Sequence, residues 1–353
     1  MSATSTPRTR HRLAAAVAVA VLALSGCGLR LETPDPTEPS PDAAETLRAA
    51  AVDDALALAD GAGQLIDGAD PALAPVLTLV QDAAAEQAAQ LGGVYDSGLP
   101  QPTGSPTATT AALTGPDELL TLLGSTAIRA RTEALSVADP QMARLLAVIA
   151  AARAQQAVQL AAALGTDVPP LTTDDPEPAA DPTAGEADGS GSGDGSATAA
   201  AGTGLDAATM TALIAAEDQA GFGYEVAAAR LADDARAQAL AAARTHRARA
   251  EEWARQAGVA DTGQDPRRVS YDLGGTPADA DAARTFCAGL EQRLTEVHAD
   301  AVLASTADGT DRHVLVDRLR EAATDLLSWG GTATALPGMD RLATPEPSPS
   351  ASS

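Results

Sequence analysis

Apolar and polar positions follow a helical rhythm over two stretches of the chain, about 43–165 and 205–330, and lose it elsewhere. The second stretch carries four stripes of 4-3-4-3 spacing, each able to line one face of a helix. Helix A, about 206–231, presents Leu213, Glu217, Ala220, Tyr224, Ala227 and Leu231. Helix B, about 234–257, presents Ala239, Ala243, His246, Ala250, Trp253 and Ala257. Helix C, about 278–305, presents Ala283, Cys287, Leu290, Leu294, Val297, Ala301 and Ala304. Helix D, about 311–329, follows with Leu315, Leu319, Ala322, Leu326 and Trp329. The A–B and C–D connections are short, whereas B–C, Gly258 to Thr276, is long and carries Gly, Pro and Asp. The pattern predicts an all-α four-helix bundle with one long crossover, the topology called ferritin-like.

The first stretch repeats itself. Ala69-Asp70-Pro71 recurs as Ala138-Asp139-Pro140, an offset of 69 residues. Leu77, Val80, Gln87, Gln90 and Leu91 then recur as Leu146, Ile149, Gln156, Gln159 and Leu160. Asp can cap a helix and Pro fits its first turn, so each Asp-Pro marks a helix start. Each copy follows another helical stretch, 43–66 and 117–136. Two helical hairpins in tandem predict a second small bundle.

The segments without rhythm divide the chain further. Residues 166–204 hold seven acids between Asp174 and Asp194, no base, and a Gly-Ser run; no core can form from them. Residues 28–42 are a stiff, Pro-rich tether, and 341–353 a Pro/Ser-rich tail. At the start, Arg8, Arg10 and Arg12 precede an Ala/Val/Leu run, Leu13 to Leu24, which ends in Leu24-Ser25-Gly26-Cys27. The run is well short of the ~20 residues that span a bilayer. The three-part layout is that of a secretory signal, and its closing box resembles the bacterial lipoprotein signal. That resemblance implies removal of residues 1–26 and diacylation of Cys27, palmitate among the acyl groups. It places the chain on the extracytoplasmic face of the cell membrane. The expected organisation is signal 1–26, tether 27–42, repeat bundle 43–165, linker 166–204, second bundle 205–340 and tail 341–353.

Charge narrows the partners. There is no lysine, and removal of the signal with its three Arg takes the net charge from −25 to −28. A nucleic acid needs a basic footprint and is excluded as a partner. Attachment to an anionic membrane must come from lipid at Cys27 rather than from a basic patch. Cys27 and Cys287 are the two cysteines, so no disulfide framework is expected.

Chemistry is suggested by polar residues on apolar stripes. Glu217 sits on the stripe of helix A and His246 on that of helix B. Glu291 flanks the stripe of helix C, in line with Cys287, Leu294 and His298. A carboxylate inside a bundle is costly unless paired or bound to metal. Together with Tyr224-Glu225, His246-Arg247-Ala248-Arg249, Leu290-Glu291, Trp329-Gly330 and Leu336-Pro337-Gly338, Ala216-Glu217 carries a resemblance. Region 205–340 resembles the ferritin-like family of unknown function found in lipoproteins of high-GC Gram-positive bacteria. Active di-iron members of the ferritin-like class place a Glu on each of two helices and Glu-x-x-His on each of the other two. Here Ala243 stands where the Glu before His246 would be, and helix D has no Glu-x-x-His. The resemblance therefore implies a degenerate site, with no cofactor.

Two readings of the trio follow. Glu217, His246 and Glu291 either hold a single divalent metal (Fe, Mn or Zn) or form a buried hydrogen-bonded network that fixes helix register. The network is the first expectation. Cys287 reads as a small buried apolar residue, and His298 is expected to edge towards solvent. Arg244, Arg247, Arg249 and Arg255 are expected to pair with Asp233, Asp234, Glu251 and Glu252. No phosphate loop, nucleophile elbow, His-Glu-x-x-His or Cys-x-x-Cys occurs. No catalytic residue is assigned. The expected function is a membrane-anchored, non-catalytic binding or scaffold module with a protein partner in the envelope; the alternative is a metal-binding or redox protein.

Overall fold

The computed structural model describes residues 40–95, 113–172, 204–307 and 309–339. Cys27, the signal, most of the tether, most of the acidic linker and the tail lie outside them. Among the described residues the regular structure is eight α-helices, with no strand, an all-α architecture. They are α1 (Ala43–Ile66), α2 (Ala74–Gln90), α3 (Pro116–Ser136), α4 (Pro140–Leu164), α5 (Ala207–Ala228), α6 (Asp233–Gln256), α7 (Ala280–Ala304) and α8 (Thr310–Ser328).

The repeat is built as two hairpins, α1–α2 and α3–α4, packed on each other through α1–α3 and α2–α4. The matched pairs Leu77/Leu146, Val80/Ile149, Gln87/Gln156 and Leu91/Leu160 are all buried. Asp139 caps α4, its carboxylate accepting from Gln141 N, with Pro140 in the first turn. The other copy differs. Asp70 offers only its carbonyl, to Leu73 and Ala74 N–H, and the regular helix starts at Ala74 with Pro75 in its first turn. Pro75 has no N–H to give Pro71, so one turn of the ladder cannot close there. Residues 169–171, placed in the linker by composition, pack on this bundle. Leu171 joins its apolar cluster, and a side chain on Gly124 would strike Pro169.

In the second bundle α5 packs on α6 and α7, and α7 on α8. Asp206 and Asp279 cap α5 and α7. Glu217 faces His298 and Tyr224 faces Glu291, so α5 and α7 run antiparallel. Gln238–Ser328 and Arg249–Glu321 contacts bring α6 beside α8, also antiparallel. The connection 257–279 therefore runs the length of the bundle. Buried Asp218 pins it, accepting from Arg268 N and from Tyr271 Oη at 2.6 Å. Gly221 and Gly223 set the helix spacing: a Cβ on Gly223 would lie 2.8 Å from Leu290, and one on Gly221 2.9 Å from Arg247.

The two bundles share a core. Helix α4 packs on α7 and α8 as well as on its own bundle. By length and composition it is apolar enough to cross a membrane, yet 78% of that stretch is buried inside the protein. Two buried glutamines act as joints. Gln155 donates to Ala323 O at 2.6 Å and Gln87 to Ala335 O at 3.2 Å. Arg131 reaches Asp317 with two nitrogens, and Arg312 reaches Val137 O.

Candidate functional site

The three sequence-selected residues meet in the middle of the second bundle. Each lies near the midpoint of its helix, where four apolar faces converge: Glu217 is 0% exposed, His246 2% and Glu291 1%. His246 Nδ1 is 2.7 Å from Glu217 Oε2, and Nε2 is 3.3 Å from Glu291 Oε1. Two further residues extend the chain. His298 Nε2 is 3.1 Å from Glu217 Oε1, and the Tyr224 hydroxyl donates to Glu291 Oε1. The Tyr224 and His246 rings lie parallel, 4° apart in tilt, with centroids 5.4 Å apart. The order is His298–Glu217–His246–Glu291–Tyr224, contributed by α5, α6 and α7.

His298 is a correction to the expectation of partial exposure: it is 1% exposed. It stands two turns beyond Glu291 on α7, which keeps it on the inner face. That same spacing was the sequence signal for it. Tyr224 was visible only as an apolar stripe position, and its hydroxyl role needed the position of Glu291. The basic face of α6 also pairs differently. Arg247 bonds Asp218 and Glu225, and Arg249 bonds Glu321, all on other helices; only Arg255–Glu251 lies within α6. Cys287 is buried among apolar neighbours, as expected.

The network determines proton positions. A neutral imidazole has one donor and one acceptor, and ionised carboxylates only accept. His246 lies between two carboxylates, so both of its nitrogens donate when both acids are ionised. Burial disfavours its charge, but hydrogen bonds and attraction to Glu217 and Glu291 outweigh this and raise its pKa to about 9. Glu217 shows the converse. Burial pushes its pKa up, while bonds from His246 and His298 hold it well below the carboxylate range. Burial, the Glu291 charge and the bond to it keep Tyr224 protonated far past its ordinary range. Burial, then Glu291, pushes the Cys287 thiol up to about 12.

The arrangement offers a single metal ion no point within reach of all three residues. Glu217 and Glu291 lie beyond opposite nitrogens of one imidazole ring. An ion held by Nε2 could reach Glu291 but not Glu217, and one held by Nδ1 the reverse. The trio is strung in a line, not gathered round a point. Within the trio each half supplies two protein ligands, one fewer than a catalytic zinc site uses, and His298 meets the other oxygen of Glu217. Among the described residues no three His, Cys, Asp or Glu converge as a metal set.

Residues 208–341 are similar to the family described as "Domain of unknown function (DUF4439)". No curated protein and no solved structure gives a significant match.

Proposed function

We propose that this protein is a membrane-anchored extracytoplasmic lipoprotein, held by lipid on Cys27, whose second bundle is a degenerate ferritin-like domain acting as a non-catalytic binding or scaffold module. The antiparallel pairs and the long α6–α7 crossover support the ferritin-like reading. The observation that carries the non-catalytic reading is the linear network. Its acids and its central base are buried and spent on each other, and among the described residues no nucleophile stands beside an accessible base. A chain of this kind specifies which helix faces meet, because any slip leaves a buried charge unpaired.

The mononuclear reading with Glu217, His246 and Glu291 is the alternative. One observation favours it: Glu291 Oε2 is buried without a hydrogen-bond partner. It requires His246 to turn so that one nitrogen serves both acids. Metal content decides between the two. After exposure to Fe(II), Mn(II) and Zn(II) and desalting, the account expects no stoichiometric metal in the wild type. About one ion per chain, lost in His246→Ala of unchanged helicity, would overturn the network reading. Anchoring is tested separately, by the intact mass of the membrane-extracted protein. A diacyl adduct on a chain beginning at Cys27, absent from Cys27→Ala, is expected; an unmodified cysteine would contradict it.

A further inference from the structure

A cleft of about 450 Å³ opens where the two bundles meet, on the face of α7 next to the network. Gln155 of α4, Thr285, Gly289 and Gln292 of α7, Leu326 of α8 and Pro337 line it, and among the described residues no ionisable side chain does. That is notable in a chain where 20% of residues are charged. Its size falls in the range of small-ligand sites, which favour junctions between domains.

One feature marks it as more than a packing defect. Gly289 lies mid-helix, where glycine costs about 1 kcal/mol relative to Ala. Unlike Gly221 and Gly223, it is not demanded by packing: a Cβ there would meet nothing within 4 Å. The bare backbone faces space rather than a neighbouring helix.

We propose that this cleft binds an uncharged, hydroxyl-rich molecule of one or two sugar rings. A charged ligand would lose hydration and find no counter-charge. A wholly apolar one would leave the amide and hydroxyl walls unpaired. A neutral saccharide presents donors and acceptors on all sides and matches the exposed amide of Gln292 and hydroxyl of Thr285. This gives the binding module proposed above a site, and it rests on that reading only in that sense; neither the Cys27 mass nor the metal content bears on it.

The test is saturation-transfer NMR on the full chain with maltose and N,N′-diacetylchitobiose, and with glucuronate and glucosamine as charged controls. At least one neutral disaccharide should bind at millimolar concentration or below, with the charged sugars at least tenfold weaker. Gly289→Leu, which fills open space and favours the helix, should weaken binding at least tenfold without lowering Tm. Gln292→Ala should weaken it by a smaller factor. Absence of binding by either neutral sugar would overturn the proposal, as would binding that Gly289→Leu leaves unchanged or equal binding of the charged controls.

Discussion

His246 is the residue on which the second bundle turns. Removing it by His246→Ala leaves two buried carboxylates facing an empty space, and the loss of one partner from a buried ionic set costs about 3–5 kcal/mol. A fall of that size in urea-unfolding free energy is expected; a fall under 1 kcal/mol would mean the acids are not held by it. The pH dependence has a definite sign. The folded pKa of His246, about 9, stands above its ordinary 6.5, so its contribution is complete below about 6.5 and lost as pH rises through about 9. The folded pKa of Glu217 lies below its ordinary 4.5, so its share is complete above that value and lost on acidification. The network thus favours the window between about 4.5 and 6.5. The urea midpoint should drop from pH 6.5 to pH 9.5, and Glu217→Gln, which removes one of the two acids raising His246, should flatten that drop. Cys287 should resist iodoacetamide at pH 8 in the native chain and react on unfolding, because burial and Glu291 withhold the thiolate; peptide mapping reads this directly. Glu217, His246 and Glu291 were legible in the sequence because polar residues break an apolar stripe. Tyr224 was not, since a phenol is at home on such a stripe until a carboxylate meets its hydroxyl.

At the scale of elements, the sequence was most readable where local chemistry acts alone. Helix periods and caps follow from side-chain spacing and from Asp at positions 42, 139, 206 and 279, whose carboxylates accept backbone N–H groups. The two Asp-Pro motifs look equivalent on the page but are not equivalent in space, because Pro75 blocks the first turn after Asp70. That contrast is measurable. Asp139→Ala should cost about 1 kcal/mol, as the loss of an N-cap does, while Asp70→Ala should cost clearly less. Equal losses would show that the carboxylate of Asp139 does not cap α4. Pairing across helices was less legible: Arg247 and Arg249 had acidic neighbours in sequence, but the helix surface points them at α5 and α8.

For the whole molecule, the decisive fact is that two bundles share α4. Composition showed an acidic segment without a core between them, which left open whether they touch. The joints that settle it, Gln87 to Ala335 O, Gln155 to Ala323 O and Arg131 to Asp317, are long-range and leave no periodic trace. A shared core predicts one cooperative unfolding transition. Arg131→Ala should lower the unfolding free energy reported by probes in both bundles, by about 1.5–3 kcal/mol for a charged hydrogen bond pair. Two separated transitions in the wild type, or a shift confined to one bundle, would contradict the shared core.

The central claim is that His246 is an imidazolium clamped between two carboxylates, and ¹⁵N NMR of the histidine rings in the full chain at pH 7 tests it most directly. The account predicts that both ring nitrogens of His246 carry protons, and that they lose this signature only near pH 9. A single neutral tautomer at pH 7, with one nitrogen bare, would contradict it.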